Sequence, residues 1–282
     1  MGIKFEKVTH SFKNPDGKGT FIAMKDIDLN IEDKSEFVAV CGHTGSGKST
    51  LIQHMNALLF PTSGKLEIFD RVIKPKRNKK LNQIRKRVGL VFQFPEYQLF
   101  DETVIKDVMF GPINFGLKKE EAREKAIQAL RMVDFDEKLY NQSPFRLSGG
   151  QMKKASIAGI LALEPDIIIL DEPTRGLDPQ SSLEIMELFN DIHKKYDKTI
   201  VIITHDMDIV SRYAKRVVVL SEGLKVFDGP KEDLFIDENF NKFHLDYPSS
   251  MKLAMELKNK LNLDINTNMY TYEELIAELE RI

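Results

Sequence analysis

The stretch that most restricts the fold is Phe37-Val38-Ala39-Val40-Cys41, which runs directly into Gly42-His43-Thr44-Gly45-Ser46-Gly47-Lys48-Ser49-Thr50. A short apolar run of strand character meets three closely spaced glycines, and Ser49 to Leu58 then carries helical spacing. Strand, glycine loop and helix in that order are the setting of a phosphate cradle. Gly42, Gly45 and Gly47 allow positive φ and close backbone approach, while the loop amides and the helix N-terminus point at an anion. In such a cradle Lys48 reaches the β- and γ-phosphates as a point charge, and Ser49 offers its hydroxyl to Mg²⁺.

The rest of the chain extends this pattern. Val88 to Phe92, Ile167 to Asp171, Thr199 to Thr204 and Arg216 to Leu220 are apolar runs of strand length, and helical spacing marks Glu120 to Val133, Gly150 to Leu163, Gln180 to Lys195 and Met207 to Ala214. Strands alternating with helices predict an α/β fold whose parallel sheet is covered on both faces. Ile3 to Phe12 alternates weakly and reads as a strand, Asn14 to Gly19 as a break, and Pro61 to Gly64 as a turn. Beyond Gly229-Pro230 the strand signal stops. Residues 231–282 are rich in Leu, Lys, Glu and Asn, with Met251 to Leu261 and Tyr272 to Ile282 amphipathic. The expected division is a main domain over 1–230 and a small helical extension over 231–282, without internal repeats.

Bulk properties exclude several classes. The formal charge is 41 − 43 = −2, which gives no global attraction to nucleic acid or anionic lipid. The single cysteine, Cys41, cannot form an intrachain disulfide and fits a reducing compartment. Met1 to Glu6 begins no signal peptide, and no apolar run approaches the ~20 residues that cross a bilayer. If the protein works at a membrane, other chains must anchor it. One local bias stands out: Arg71 to Arg87 holds nine Lys or Arg and no acid. It reads either as a solvated loop and helix face or as a contact for anionic headgroups or a partner's acidic patch.

Two further segments carry chemistry. Ile167-Ile168-Ile169-Leu170-Asp171-Glu172-Pro173 is a buried strand ending in two acids, ~120 residues after the phosphate loop. Because neighbouring strand residues face opposite ways, the strand tip can give them separate tasks. Asp171 suits the Mg²⁺ shell, and Glu172 suits a general base acting on the attacking water. Leu147-Ser148-Gly149-Gly150-Gln151 places two glycines, poor helix residues, just before a helical run. They make sense as a second exposed helix N-terminus that faces phosphate. His205 closes the run Ile200 to Thr204, and Gln93 closes Val88 to Phe92. The other histidines (10, 43, 54, 193 and 244) share no metal-ligand spacing and read as structural or solvated.

Phosphate loop, LSGGQ and a downstream Asp-Glu pair on one chain resemble the ABC-type ATPases, over residues 3 to about 229 with every motif in order. The resemblance implies a P-loop core with an N-terminal antiparallel β subdomain and a helical subdomain over about 95–163. It implies that ATP lies on residues 42–50 with Phe12 stacked on adenine, a contact that tolerates any base. His205 then corresponds to the switch histidine at the γ-phosphate, and Gln93 to the glutamine that senses Mg²⁺ and the attacking water. Leu147 to Gln151 and Asp178 would act across a dimer interface on ATP held by a second subunit. Arg175 departs from the small residue expected at its place.

Within the superfamily, His43-Thr44, the run Phe92-Gln93-Phe94-Pro95-Glu96-Tyr97-Gln98-Leu99-Phe100, Phe110-Gly111-Pro112, Asn114-Phe115-Gly116, Ser143-Pro144-Phe145 and the helical tail look like the ATPase subunits of energy-coupling-factor (ECF) importers of vitamins or metal ions. The likeness is greatest to the second ATPase of the heterodimeric complexes. Lys34 stands where that group usually has a turn glycine. The implied partners are a second ATPase subunit (a paralogue or another copy), a membrane T component and a substrate-binding S component, at the cytoplasmic face of the cell membrane. Glu96, Asp101 and Glu102 are the expected receivers of arginines from the T component. The rivals are the ATPase of a conventional ABC importer, and a soluble ABC-type ATPase acting on nucleic acid or ribosomes. The latter is disfavoured because Lys48 and Ser148 lie only 100 residues apart without sustained heptads.

Overall fold

A computed structural model of the chain describes residues 2–14, 17–75 and 81–281. The elements are β1 (Ile3–Lys13), β2 (Thr20–Ile31), β3 (Phe37–Cys41), α1 (Lys48–Met55), β4 (Ser63–Ile68), β5 (Arg71–Ile73), α2 (Leu81–Arg87) and β6 (Val88–Val91). There follow α3 (Val104–Asn114), α4 (Lys119–Met132), α5 (Gly149–Leu161), β7 (Ile167–Asp171), α6 (Pro179–Tyr196), β8 (Thr199–Ile203) and α7 (Met207–Tyr213). The last are β9 (Arg216–Ser221), β10 (Leu224–Pro230), α8 (Lys231–Phe235), α9 (Ser249–Leu261) and α10 (Tyr272–Leu279).

Among the described residues the strands form two sheets. One has the order β2-β1-β4-β5 and is antiparallel. The other has the order β10-β9-β3-β8-β7-β6; it is parallel from β9 to β6, with β10 an antiparallel edge. Every residue of β3 and β8 is buried, as strands covered on both faces require. Alternate residues serve opposite cores. Ala39, Cys41, Ile168, Leu170, Ile200 and Ile202 pack with the helical layer of α3 to α7. Val38, Val40, Ile167, Ile169, Val201 and Ile203 pack with α1 and the antiparallel sheet. Burial pushes the Cys41 thiol up to about 12, which removes it from thiolate chemistry at neutral pH.

The carboxyl ends of β3, β7 and β8 therefore lie side by side at one edge of the parallel sheet, where open α/β folds place their sites. The extension is not a detached appendage. Leu234, Phe235, Phe240, Phe243 and Met251 belong to the large core, and Ala254, Ile265, Met269 and Leu275 form a small one of their own. Asp208 of α7 accepts hydrogen bonds from the Ser249 amide and hydroxyl, both at 2.6 Å, and Arg212 stands 3.6 Å from Glu273.

One expectation needs correction. Ser63 and Gly64 open β4 and do not complete a turn; Gly64 has φ 82, and a Cβ there would meet the Lys7 carbonyl oxygen at 2.1 Å. The turn at Lys34 takes its left-handed residue one place later, at Ser35 with φ 58. The basic run is partly engaged inside the chain. Arg87 donates to Asp166 at 2.6 Å with its guanidinium over Phe69, and Arg85 donates to the Ala57 carbonyl at 3.1 Å. Residues 76–80 of that run lie outside the described residues.

His54, in the last turn of α1, is fully buried and edge-on to His10 at 4.7 Å between ring centroids. Its Nδ1 donates to the Thr50 carbonyl at 2.7 Å, and Nε2 has no partner. Burial, reinforced by His10, lowers its pKa to about 4. Below pH ~6.5 the unfolded chain therefore binds a proton that the native chain refuses, and stability falls as pH drops from there towards 4. Denaturant melts across that window are expected to show a decline that shrinks by up to about 3 kcal/mol in His54→Leu; an unchanged decline would remove His54 from the account.

Candidate functional site

The loop between β3 and α1 is built by its glycines. Gly42, Gly45 and Gly47 have φ of 135, 84 and 104. A Cβ on Gly42 would stand 2.1 Å from the Leu220 carbonyl oxygen, so the loop is pressed against β9. Ser46 is buried, whereas Thr44 and Gly45 are exposed at the tip. Gly47 begins α1 without a side-chain cap, leaving the first-turn amides free of a local acceptor. Ser49 is exposed and Thr50 half-buried in that turn. Lys48 Nζ curls over the loop and donates to the carbonyls of Gly42 at 2.7 Å and His43 at 2.9 Å. Burial lowers the Lys48 pKa, and the charges of Glu172 and Asp171 oppose that.

Asp171 ends β7, and burial followed by the Glu172 charge raises its pKa, with Lys48 acting against them. The two acids diverge for a different reason from strand pleating. Glu172 lies beyond the strand in the left-handed region, at φ 49, with its amide donating to Ile203 at 3.0 Å. Such backbone costs of order 1–3 kcal/mol and persists where the surroundings fix it. A carboxylate only accepts, so His205 Nδ1–H donates to Glu172 Oε1 at 2.9 Å. The Glu172 side chain is 14% exposed and that of His205 75%. Asp206, capping α7 through its contacts with the Asp208 and Ile209 amides, fixes the backbone beside His205.

Gln93 follows β6, and its hydrogen-bond network sets the carboxamide oxygen towards Arg175, accepting from Nε at 3.0 Å and Nη1 at 2.8 Å. Phe94 then turns left-handed at φ 56 into a short 3₁₀ turn, Pro95–Gln98. That turn carries Glu96 inward: its Oε2 is buried without a hydrogen-bond partner, and its charge acts on buried Lys153. Asp101 and Glu102 do not cap α3. Thr103 does, accepting from the Lys106 amide. Asp101 instead accepts from the Glu102 amide at 2.7 Å, and Glu102 pairs with Lys106. Tyr97, Phe100, Phe110 and Ile113 are exposed nearby.

A cleft of about 1130 Å³ gathers Gly42, His43, Thr44, Lys48, Glu172, Arg175 and His205. Phe12 is not among its walls; it stands 40% exposed on β1, opposite Phe21 and edge-on to His10 at 4.5 Å. Leu147 to Gln151 are also absent from the walls. There Ser148 caps α5, accepting from the Gln151 amide at 3.3 Å, while Gln151 accepts from the Ser148 amide at 3.0 Å. Ser148, Gly149 and Gly150 are exposed. Asp178 is exposed and caps α6 through Ser181, whose hydrogen bonds hold its carboxyl below the usual range. Sequence reasoning missed the wall formed by Arg212 and by His244, Leu245 and Asp246 of the extension, where the His43 and His244 rings lie 6.5 Å apart. No spacing in the sequence announces that approach.

Comparison with known proteins gives the site its relatives. A family described as ABC transporter matches residues 24–175. The energy-coupling factor transporter ATP-binding protein EcfA2 of Bacillus subtilis (strain 168) is 46% identical over 263 residues, covering 93% of this chain and 95% of that protein. The solved structure of cbiO1 from Clostridium perfringens, described as part of the ABC transporter complex cbiONQ, matches with a TM-score of 0.73 at 36% identity over 92% of this chain and 95% of that one. A dimer of the ATP-binding cassette MJ0796 in a post-hydrolysis state, bound to ADP and Pi, matches with a TM-score of 0.72 at 32% identity over 81% of this chain and 98% of that one.

Proposed function

This chain belongs to the ABC transporter family and is the ATP-hydrolysing, ATP-binding subunit of an energy-coupling-factor transporter, and from that premise we propose that it powers an importer of a vitamin or metal ion from the cytoplasmic face of the cell membrane. The observation that carries the reading is the convergence of Lys48, Glu172 and His205 on one cleft at the carboxyl edge of the parallel sheet. No helix among the described residues is long and apolar enough to cross a membrane, so attachment falls to partners, here a T component, an S component and a second ATPase subunit.

The geometry supports the following residue roles. The loop amides of 42–50 and the N-terminus of α1 receive the phosphates, and Lys48 leaves the carbonyls of Gly42 and His43 to meet them. Glu172, held by Ile203 and His205, takes the proton of the attacking water. His205, exposed at the cleft, senses the γ-phosphate. The Ser49 hydroxyl, the Gln93 carboxamide oxygen and the Asp171 carboxylate are hard oxygen donors with a single carboxylate, which fits Mg²⁺ carried in largely by substrate phosphates. When bound, Mg²⁺ would neutralise charge on the β- and γ-phosphate oxygens.

The importer reading is tested at the surface beside Gln93. Asp101→Lys with Glu102→Lys should leave hydrolysis by the isolated subunit nearly unchanged, while assembly with the membrane partners or ATP-dependent uptake into vesicles falls about tenfold or more. Glu96 is left out of the pair because its reversal would set two cations together beside buried Lys153. Unaltered assembly and uptake would place the coupling surface elsewhere.

A further inference from the structure

Arg175 is the residue of this segment that the reaction scheme leaves without a task. Its backbone is pinned on both sides: the amide donates to the Glu172 carbonyl at 3.1 Å, and the carbonyl accepts from Lys153 Nζ of α5 at 3.4 Å. Its side chain meets Gln93 through Nε at 3.0 Å and Nη1 at 2.8 Å from one carboxamide oxygen. The opposite orientation of that carboxamide would set donors against donors. Three segments thus meet at one residue: the loop after β6, through the Arg175 side chain, and the stretch after Glu172 and α5, whose first turn carries the signature, through its backbone.

The oxygen that Arg175 holds is the atom Gln93 offers to a hard cation. We propose that Arg175 is a positioning residue that latches Gln93 in competition with Mg²⁺, so that MgATP binding must exchange a guanidinium for the metal on the Gln93 oxygen and thereby release the segment from Arg175 to Asp178. The proposal rests on the reading of Gln93 as a metal-facing residue. It makes Arg175 a brake: the latched site spends part of the metal's affinity on breaking two charge-assisted hydrogen bonds.

The test is the Mg²⁺ dependence of nucleotide binding by the full chain, measured with a fluorescent derivative of the non-hydrolysable analogue AMP-PNP. Arg175→Ala should lower the half-saturating Mg²⁺ concentration about five- to tenfold, with affinity in EDTA unchanged. Arg175→Lys, which keeps the charge and loses the fork, should behave as Arg175→Ala. Gln93→Ala should raise the Mg²⁺ requirement, and adding Arg175→Ala to it should change nothing further, because the latch has lost its partner. If Gln93→Ala shifts the titration and Arg175→Ala does not, the latch is overturned and the role of Gln93 stands. A wild-type titration in Arg175→Lys would show that charge alone acts, and would also overturn the latch. If Gln93→Ala leaves the titration unmoved, the assignment of Gln93 falls and the latch with it.

Discussion

Replacing Glu172 by Gln is expected to lower ATP turnover about 10²–10⁴-fold, the usual yield of a general base, while ATP still binds. The substitution is nearly isosteric. The Gln oxygen can still accept from His205 Nδ1, which lies 2.9 Å from Glu172 Oε1, and the amide that donates to Ile203 at 3.0 Å is untouched. The left-handed backbone at φ 49 is held by that same strand end and favours neither side chain. What disappears is the capacity to accept a proton. Lys48 and Asp171 remain to bind nucleotide, so the variant should accumulate ATP-bound, closed dimers that size-exclusion chromatography resolves. Phosphate release within a factor of two of the wild type would defeat the assignment of Glu172 as base.

The variant also shows how far the sequence reaches. β3, β7 and β8 were legible because strands covered on both faces must be apolar throughout, and a glycine loop or an acid pair at their ends marks the sheet edge. β2 was not, because its pairing with β1 slips at several places, with Lys7 and Asp26 at φ 49 and 50, and each slip breaks the period of two. The acid pair was legible as a site, but its geometry was not. Pleating accounts for Asp171 alone; Glu172 is aimed by a backbone conformation that no side-chain pattern encodes.

The same limit holds beside Gln93. An acid among Phe94, Tyr97 and Phe100 reads as surface, yet the left-handed Phe94 and the Pro95 turn rotate Glu96 inward towards Lys153. The Arg175–Gln93 contact and the approach of His244 to His43 join residues remote in sequence through side-chain packing, so local pattern is silent about both. Glu102 is exposed and Asp101 half-buried, so both offer charge at the surface on which the coupling hypothesis depends, beside a helix α3 that is capped by Thr103.

A second large effect is expected from mixing two inactive chains. The family resemblance implies that LSGGQ closes over a nucleotide held by a partner, and the signature residues Leu147 to Gln151 are not among the walls of the cleft that holds Lys48. Lys48→Ala removes the phosphate-facing charge, and Ser148→Arg blocks the signature. The second variant should still fold: Ser148 is exposed, Cβ atoms built on Gly149 and Gly150 meet nothing within 4 Å, and the lost cap costs only about 1 kcal/mol. Each variant alone should lose nearly all hydrolysis, because every composite site in its dimer is damaged. In an isologous dimer of mixed chains, one of the two sites draws an intact Lys48 and an intact Ser148 from different subunits. Random exchange of equal amounts should then restore about a quarter of the wild-type rate, half the dimers carrying one good site in two. Should the chain hydrolyse only beside a paralogous subunit, the same substitutions are divided between the two proteins, and the intact site is again the one whose loop and signature come from different chains. Full activity of Ser148→Arg in every pairing would show that the signature does not act across an interface.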